Sequence, residues 1–179
     1  PYNIDFMEQL AQAYAEYFMR DKSIAIMERL IGLDPEPLRE SWYHYYIANQ
    51  RRCLGQYEEL SREAALSLDL VKELPASFEM KQQLSLSYSM MGWAKYHESL
   101  LEESSAYFEK SLELRKEILS DDDVLIAWAY YNSASALYKA GNIQKSIQYY
   151  EEAIRRFLLI DEIGICVPAY LSVAEAYLM

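Results

Sequence analysis

The stretch that most constrains this chain is Ile126 to Phe157, IAWAYYNSASALYKAGNIQKSIQYYEEAIRRF. It reads as two helices broken at Gly141-Asn142, because a glycine just past a helix end takes the left-handed conformation at little cost. The first helix carries small residues, Ala134 and Ala136, among large apolar ones. In the second, Ile147, Tyr150, Ala153, Ile154 and Phe157 recur at helical spacing and share one face. A lone pair of helices cannot bury such a face. The rest of the chain must supply more of them.

It does so in a recurring order. Tyr130, Ala134, Tyr138, Gly141, Ile143, Ser146, Tyr150 and Ala153 run aromatic, small, aromatic, glycine, apolar, small, aromatic, small. The stretch before it repeats the order with Tyr88, Met91, Gly92, Tyr96, Ser104, Phe108 and Ser111, and has Ser99 where the turn glycine belongs. Further back stand Ile47, Ala48, Gly55, Tyr57, Ala64 and Ser67, with Leu60 where a small residue is expected. The first copy is weaker: Leu10, Ala11, Tyr14, Ser23 and Met27, closed by Leu33-Asp34-Pro35. A last copy starts with Tyr170, Val173, Ala174 and Tyr177. This order resembles the tetratricopeptide repeat (TPR) family, in a long-repeat variety similar to helical-repeat regulatory domains. Ser133 departs from it, since the family has a large apolar residue there. The small residues have a physical reason, because a larger side chain at a helix crossing would push the helices apart.

The resemblance implies an all-α fold: a right-handed superhelix of antiparallel helix pairs, a TPR-like α-solenoid of about nine helices. It covers residues 1–179 as one domain, with repeats at approximately 4–40, 41–84, 85–126, 127–166 and a partial 167–179. The unit starts Ile4, Ser41, Ser85, Ala127 and Val167 lie further apart than the roughly 34 residues usual for the family. Helices are expected at 3–18, 22–32, 37–53, 57–73, 77–98, 101–118, 122–139, 143–159 and 164–179. Pro35, Pro37 and Pro75 break the pattern between repeats, because proline cannot continue a helix. Ser77 is a candidate cap, and Asp121-Asp122-Asp123 sits where carboxylates satisfy a helix N-terminus.

Composition closes several routes. Hydrophobic residues make up 52% of the chain, with only 5 Gly and 5 Pro, which argues against disorder. No apolar run is long enough to span a bilayer, and no signal-peptide pattern opens the chain. The formal charge of -11 disfavours direct nucleic-acid binding, which needs a basic face for phosphates. Cys53 and Cys166 fall in separate repeats and read as reduced thiols of a cytoplasmic protein. Pro1 is not an initiator methionine, and Tyr170, Leu171, Val173, Ala174, Tyr177, Leu178 and Met179 form an apolar helix with no polar cover. The expectation is a piece of a longer protein; the alternative is a homodimer that covers the last helix with a second copy.

Catalysis finds no support. His44 and His97 sit in no ligand spacing, and neither a Gly-rich phosphate loop nor GxSxG occurs. No cofactor, metal site or enzyme activity is expected. The paired acids near second helices read as solvated faces, with ion pairs expected from Glu151 to Arg155 and from Glu152 to Arg156.

In the family, the first helix of each repeat lines a groove. The matching positions here are Trp42, Tyr45, Tyr46, Asn49 and Arg52; Trp93, Tyr96 and His97; and Trp128, Tyr131, Asn132, Tyr138 and Lys139. All three tryptophans are among them. Trp and Tyr offer large contact area at low entropic cost. Asn49 and Asn132 have the donor and acceptor that an extended backbone needs, and Arg52 and Lys139 suit a carboxylate. The competing reading is that these aromatics only thicken the core. A chaperone-type carboxylate clamp does not fit, because Glu8, Gln12 and Tyr46 occupy its places. The resemblance implies a non-catalytic protein- or peptide-binding module, in the sensor or regulatory segment of a signalling or transcription-regulatory protein. The alternative is an assembly scaffold with no groove ligand.

Overall fold

The structure is a computed structural model that describes residues 3–33, 35–159 and 163–178. Among these, nine helices and no strand are present. The chain divides into two compact units, residues 1–94 and 95–179. The first unit holds α1 (Ile4–Glu16), α2 (Arg20–Ile31), α3 (Pro37–Cys53), α4 (Tyr57–Lys72) and most of α5 (Phe78–His97). The second holds the end of α5, α6 (Leu101–Ile118), α7 (Val124–Lys139), α8 (Ile143–Leu159) and α9 (Ile163–Tyr177). These bounds match the expected helices to within two residues. The side chain of Cys166 lies outside the described ones, whereas Cys53 is an exposed free thiol.

One turn, used four times, makes the helix pairs antiparallel. Its central residue is left-handed: Phe18 (φ 60°), Gly55 (φ 74°), Ser99 (φ 63°) and Gly141 (φ 82°). Each turn is closed by the same backbone bond from the following N–H to a carbonyl five residues back. The four are Met19 to Tyr14 (2.8 Å), Gln56 to Arg51 (3.0 Å), Leu100 to Lys95 (3.0 Å) and Asn142 to Leu137 (2.9 Å). This is the Schellman pattern, which satisfies carbonyls that a helix end leaves without partners. The turn therefore survives where its glycine does not, and Phe18 and Ser99 accept backbone strain to make it. Ser99→Gly is accordingly expected to raise stability by about 0.5–1 kcal/mol, read as a higher urea midpoint with an unchanged slope.

Three of the first helices, α1, α5 and α7, begin on side-chain caps. Asn3 accepts from the Phe6 N–H (3.1 Å), Ser77 from Met80 (3.0 Å) and Asp123 from Leu125 (2.8 Å). The small residues of the repeat pattern are buried where helices cross: Ala11, Ser23, Ala48, Ala64, Ser67, Gly92, Ser104, Ser111, Ala134, Ser146 and Ala153. Ser23 also spans its crossing, its hydroxyl donating to the Ala11 carbonyl (2.7 Å). Leu60 is large at a position that is small elsewhere, and it is fully buried among Ala48, Ala64 and Ala94, whose size makes room for it.

In the first unit the core forms around Ala11, Ile24, Met27, Leu30, Tyr43 and Ile47, with a second cluster at Ala48, Leu60, Ala64, Met90 and Ala94. In the second it forms around Ala127, Ala153 and Phe157, and around Leu112, Ile126 and Ala129. Buried Arg156 ties α8 to the loop before α7, binding Asp121 Oδ1 (2.9 Å) and Glu152 Oε1 (2.7 Å). Arg155 also pairs with Glu152 (2.6 Å) rather than with the expected Glu151, because residues three apart on a helix are as close as residues four apart. Glu151 instead accepts from the Tyr177 hydroxyl (2.8 Å).

Candidate functional site

The groove positions fall in both units, and each set is a cluster of its own. In the first unit Trp42 lies edge-on to Tyr43 (5.6 Å) and tilted against Tyr46 (5.5 Å), and both Trp42 and Tyr46 pack on the first core cluster. Tyr45 and Trp93 pack on the second cluster. The Arg52 guanidinium sits 5.0 Å from the centre of the Trp93 ring and donates to Asn49 Oδ1 (3.1 Å). Trp93, Arg52 and Asn49 thus form one patch, in which a cation rests on an aromatic face.

In the second unit Tyr96 stacks edge-on with His97 (5.4 Å), and Lys139 reaches over the Tyr96 ring (4.2 Å). Trp128 contacts Tyr131 (5.7 Å) and Phe157 (5.1 Å), and Tyr131 contacts Tyr150 (5.6 Å). The Tyr150 hydroxyl donates to Ser135 (3.2 Å). Burial raises the pKa of the Tyr96 and Tyr150 phenols, so both stay neutral donors at ordinary pH. Asn132 is only 9% exposed, and Tyr138 is half-buried. All the aromatic groove residues are partly exposed, and Trp42, Tyr45, Tyr46, Trp93, Trp128 and Tyr131 pack against the cores.

The first unit also holds a cavity of about 460 Å³ lined by Glu36, Leu38, Arg39, Trp42, Glu79, Gln82, Gln83 and Leu86. It opens between α3 and α5, the first helices of adjacent repeats. Trp42 and Leu86, both at first-helix groove positions, line it. Arg39 is engaged from α1, where Glu8 binds it through both oxygens (2.8 and 3.1 Å) and Asp5 binds it at 2.7 Å. Those bonds raise its pKa still further above the solution range. Glu8 also accepts from the Tyr43 hydroxyl (2.7 Å). Behind the cavity, Gln83 Nε2 meets Ser41 (3.1 Å), Ser67 (3.5 Å) and Ser87 (3.5 Å), all buried.

His44 and Glu63 form a buried pair on the side of α3 that faces α4, with Nδ1 2.7 Å from the carboxylate. Burial alone would raise the Glu63 pKa, but the bonds and charges of His44 and Arg62 outweigh it and hold the carboxyl below the ordinary 4.5. This pair links α3 to α4, with Glu40 3.9 Å from the other ring nitrogen of His44 and Arg62 3.4 Å from Glu63. Among the described residues no group of three or more His, Cys, Asp and Glu side chains is placed to hold a metal ion. Likewise no helix of the described residues is long and apolar enough to cross a membrane.

Antiparallel helix pairs, joined by one left-handed turn and crossing at small residues, define a helical-hairpin repeat protein. Residues 83–158 match the sequence profile of the Tetratricopeptide repeat family. That segment therefore carries tetratricopeptide repeats. The chain's fold is similar to the kinesin light chain TPR-like repeats of Podosopora anserina, with a TM-score of 0.75 at 13% identity, covering 97% of this chain and 84% of that one. It is also similar to the apo form of RapI, with a TM-score of 0.77 at 15% identity over 98% of this chain and 63% of that one. A Rap protein complexed with Competence and Sporulation Factor gives a TM-score of 0.80 at 15% identity, over 97% of this chain and 48% of that one. No curated protein matches the sequence.

Proposed function

We propose that this chain is a non-catalytic protein- or peptide-binding module that uses the aromatic faces of its first helices. The observation that carries this reading is the half-buried state of Trp42, Trp93 and Trp128. These are anchored at the base and open at the surface, as binding hot spots are. Arg52 on Trp93 and Lys139 on Tyr96 are held in place before any ligand arrives, which lowers the cost of ordering them. The similarity to a Rap protein bound to a named factor supports a regulatory segment of a larger cytoplasmic signalling or transcription-regulatory protein.

A second reading, self-association, is favoured by one observation. On α9, Val167, Tyr170, Leu171 and Tyr177 are exposed, as is Leu178 just past its end. A second copy packed on α9 would cover them.

The two readings part on one experiment. Trp93→Ala and Tyr131→Ala are each expected to weaken peptides selected from a random library by about thirtyfold, with helicity retained. Unchanged binding in both variants, together with a dimer in sedimentation that Leu171→Glu dissociates, would establish the scaffold instead.

A further inference from the structure

The cavity between α3 and α5 has a definite chemical preference, and the serines behind it set that preference. The Ser41 hydroxyl donates to the Ser67 carbonyl (2.7 Å), and Ser67 donates to the Ser41 carbonyl (2.8 Å). Ser87 has two acceptors within reach, Ser67 Oγ (2.7 Å) and the Gln83 carbonyl of the helix backbone (3.1 Å). Each serine proton is thereby spent inside the cluster. The serine oxygens that remain are acceptors, so the Gln83 side chain must turn its NH2 toward them. Gln83 is only 5% exposed and lines the cavity. What it offers a ligand is its side-chain carbonyl, an acceptor.

The cavity's charges point the same way. Arg39 is its one cation, and Asp5 and Glu8 already bind it. Glu36 and Glu79 are exposed at the rim, and among the described residues neither is in an ion pair. Trp42 and Leu86 supply the apolar wall. A group that enters meets the carboxylates of Glu36 and Glu79, the amides of Gln82 and Gln83, an indole, and a guanidinium already bound by Asp5 and Glu8. The side chain complementary to that set is planar, cationic and rich in N–H donors. A guanidinium pairs with carboxylates through a fork of donors and stacks on aromatic rings, which an ammonium does less well.

We propose that this cavity seats an arginine side chain of a bound peptide, so that the module selects basic peptides. The proposal rests on the peptide-binding reading above. The first-turn carboxylates also offset helix dipoles, and the test must separate that role from recognition. The whole chain is panned against a random displayed peptide library, beside Glu36→Gln/Glu79→Gln and Trp42→Leu. Arginine is expected to dominate one position of the peptides that the unaltered chain selects. The double glutamine variant, with melting unchanged, is expected to lose that preference by about tenfold or more while other positions persist. Trp42→Leu is expected to weaken it in the same position. Selected peptides without a basic position overturn the proposal and leave the binding module standing, as does a preference that survives the double variant. Lysine selected equally overturns the choice of guanidinium. No selected peptide at all removes both readings.

Discussion

Phe157→Ala is expected to lower stability by about 3–5 kcal/mol, the range for emptying a packed aromatic site. The ring is fully buried with Ala127 and Ala153, and Trp128 meets it edge-on at 5.1 Å. Its neighbours include two alanines that cannot extend to fill the space, so the cavity stays. A loss of this size approaches the whole stability of a small domain, and the second unit should melt early. Phe157→Leu keeps most of the volume and should cost under about 1.5 kcal/mol. Urea unfolding followed by helical circular dichroism reads both variants. A loss below about 1 kcal/mol for the alanine variant would mean that the ring is not a core element.

Overpacking gives the second large effect. Ala48 is fully buried and shares its cluster with Leu60, Ala64, Met90 and Ala94. Ala48→Leu adds three carbons where α3 meets α4, and the helices must separate or their side chains must leave their rotamers. The expected cost is about 1–3 kcal/mol. Leu60 is the large residue already at that crossing, so Ala48→Leu with Leu60→Ala should recover part of the loss. The recovery would appear as a double-mutant coupling of at least about 0.5 kcal/mol between the two sites. Additive losses would show that the two side chains do not share the space.

The two faces of the repeat answer to different demands. Phe157 and Ala48 belong to the packing face, where volume decides. Trp93 and Tyr131 straddle both faces: each leans on a core cluster while part of its surface stays open. Both binding and stability therefore need to be followed in any variant at those positions. Glu36 and Glu79 are exposed and touch no core, so they report on recognition without that overlap.

The sequence by itself determined the helices, their order and the repeat pattern. Spacings of three and four residues, proline breaks and a glycine turn are local properties, and a helix is a local structure whose hydrogen bonds close within one turn. The small residues at the crossings were legible for the same reason, because each repeat states them again. The aromatic first-helix faces were also visible, since a helix face is a spacing rule. What the tertiary structure decided lies between residues distant in sequence. The repeat register puts Ser99 at the turn, but it does not announce that Ser99 and Phe18, without being glycine, adopt the left-handed conformation of Gly55 and Gly141. The closing backbone bonds force it, because the antiparallel packing of the pair fixes where the chain must reverse. The turn from Gln83 toward Ser41 and Ser67, the pairing of His44 with Glu63, and the capture of Arg39 by Asp5 and Glu8 each join different helices. A polar side chain shows its type in the sequence, but which of its atoms is satisfied depends on the neighbours that packing brings to it. That is why the aromatic wall of the cavity could be named from Trp42 alone, while its demand for a cation emerged only once α1, α3, α4 and α5 had been brought together.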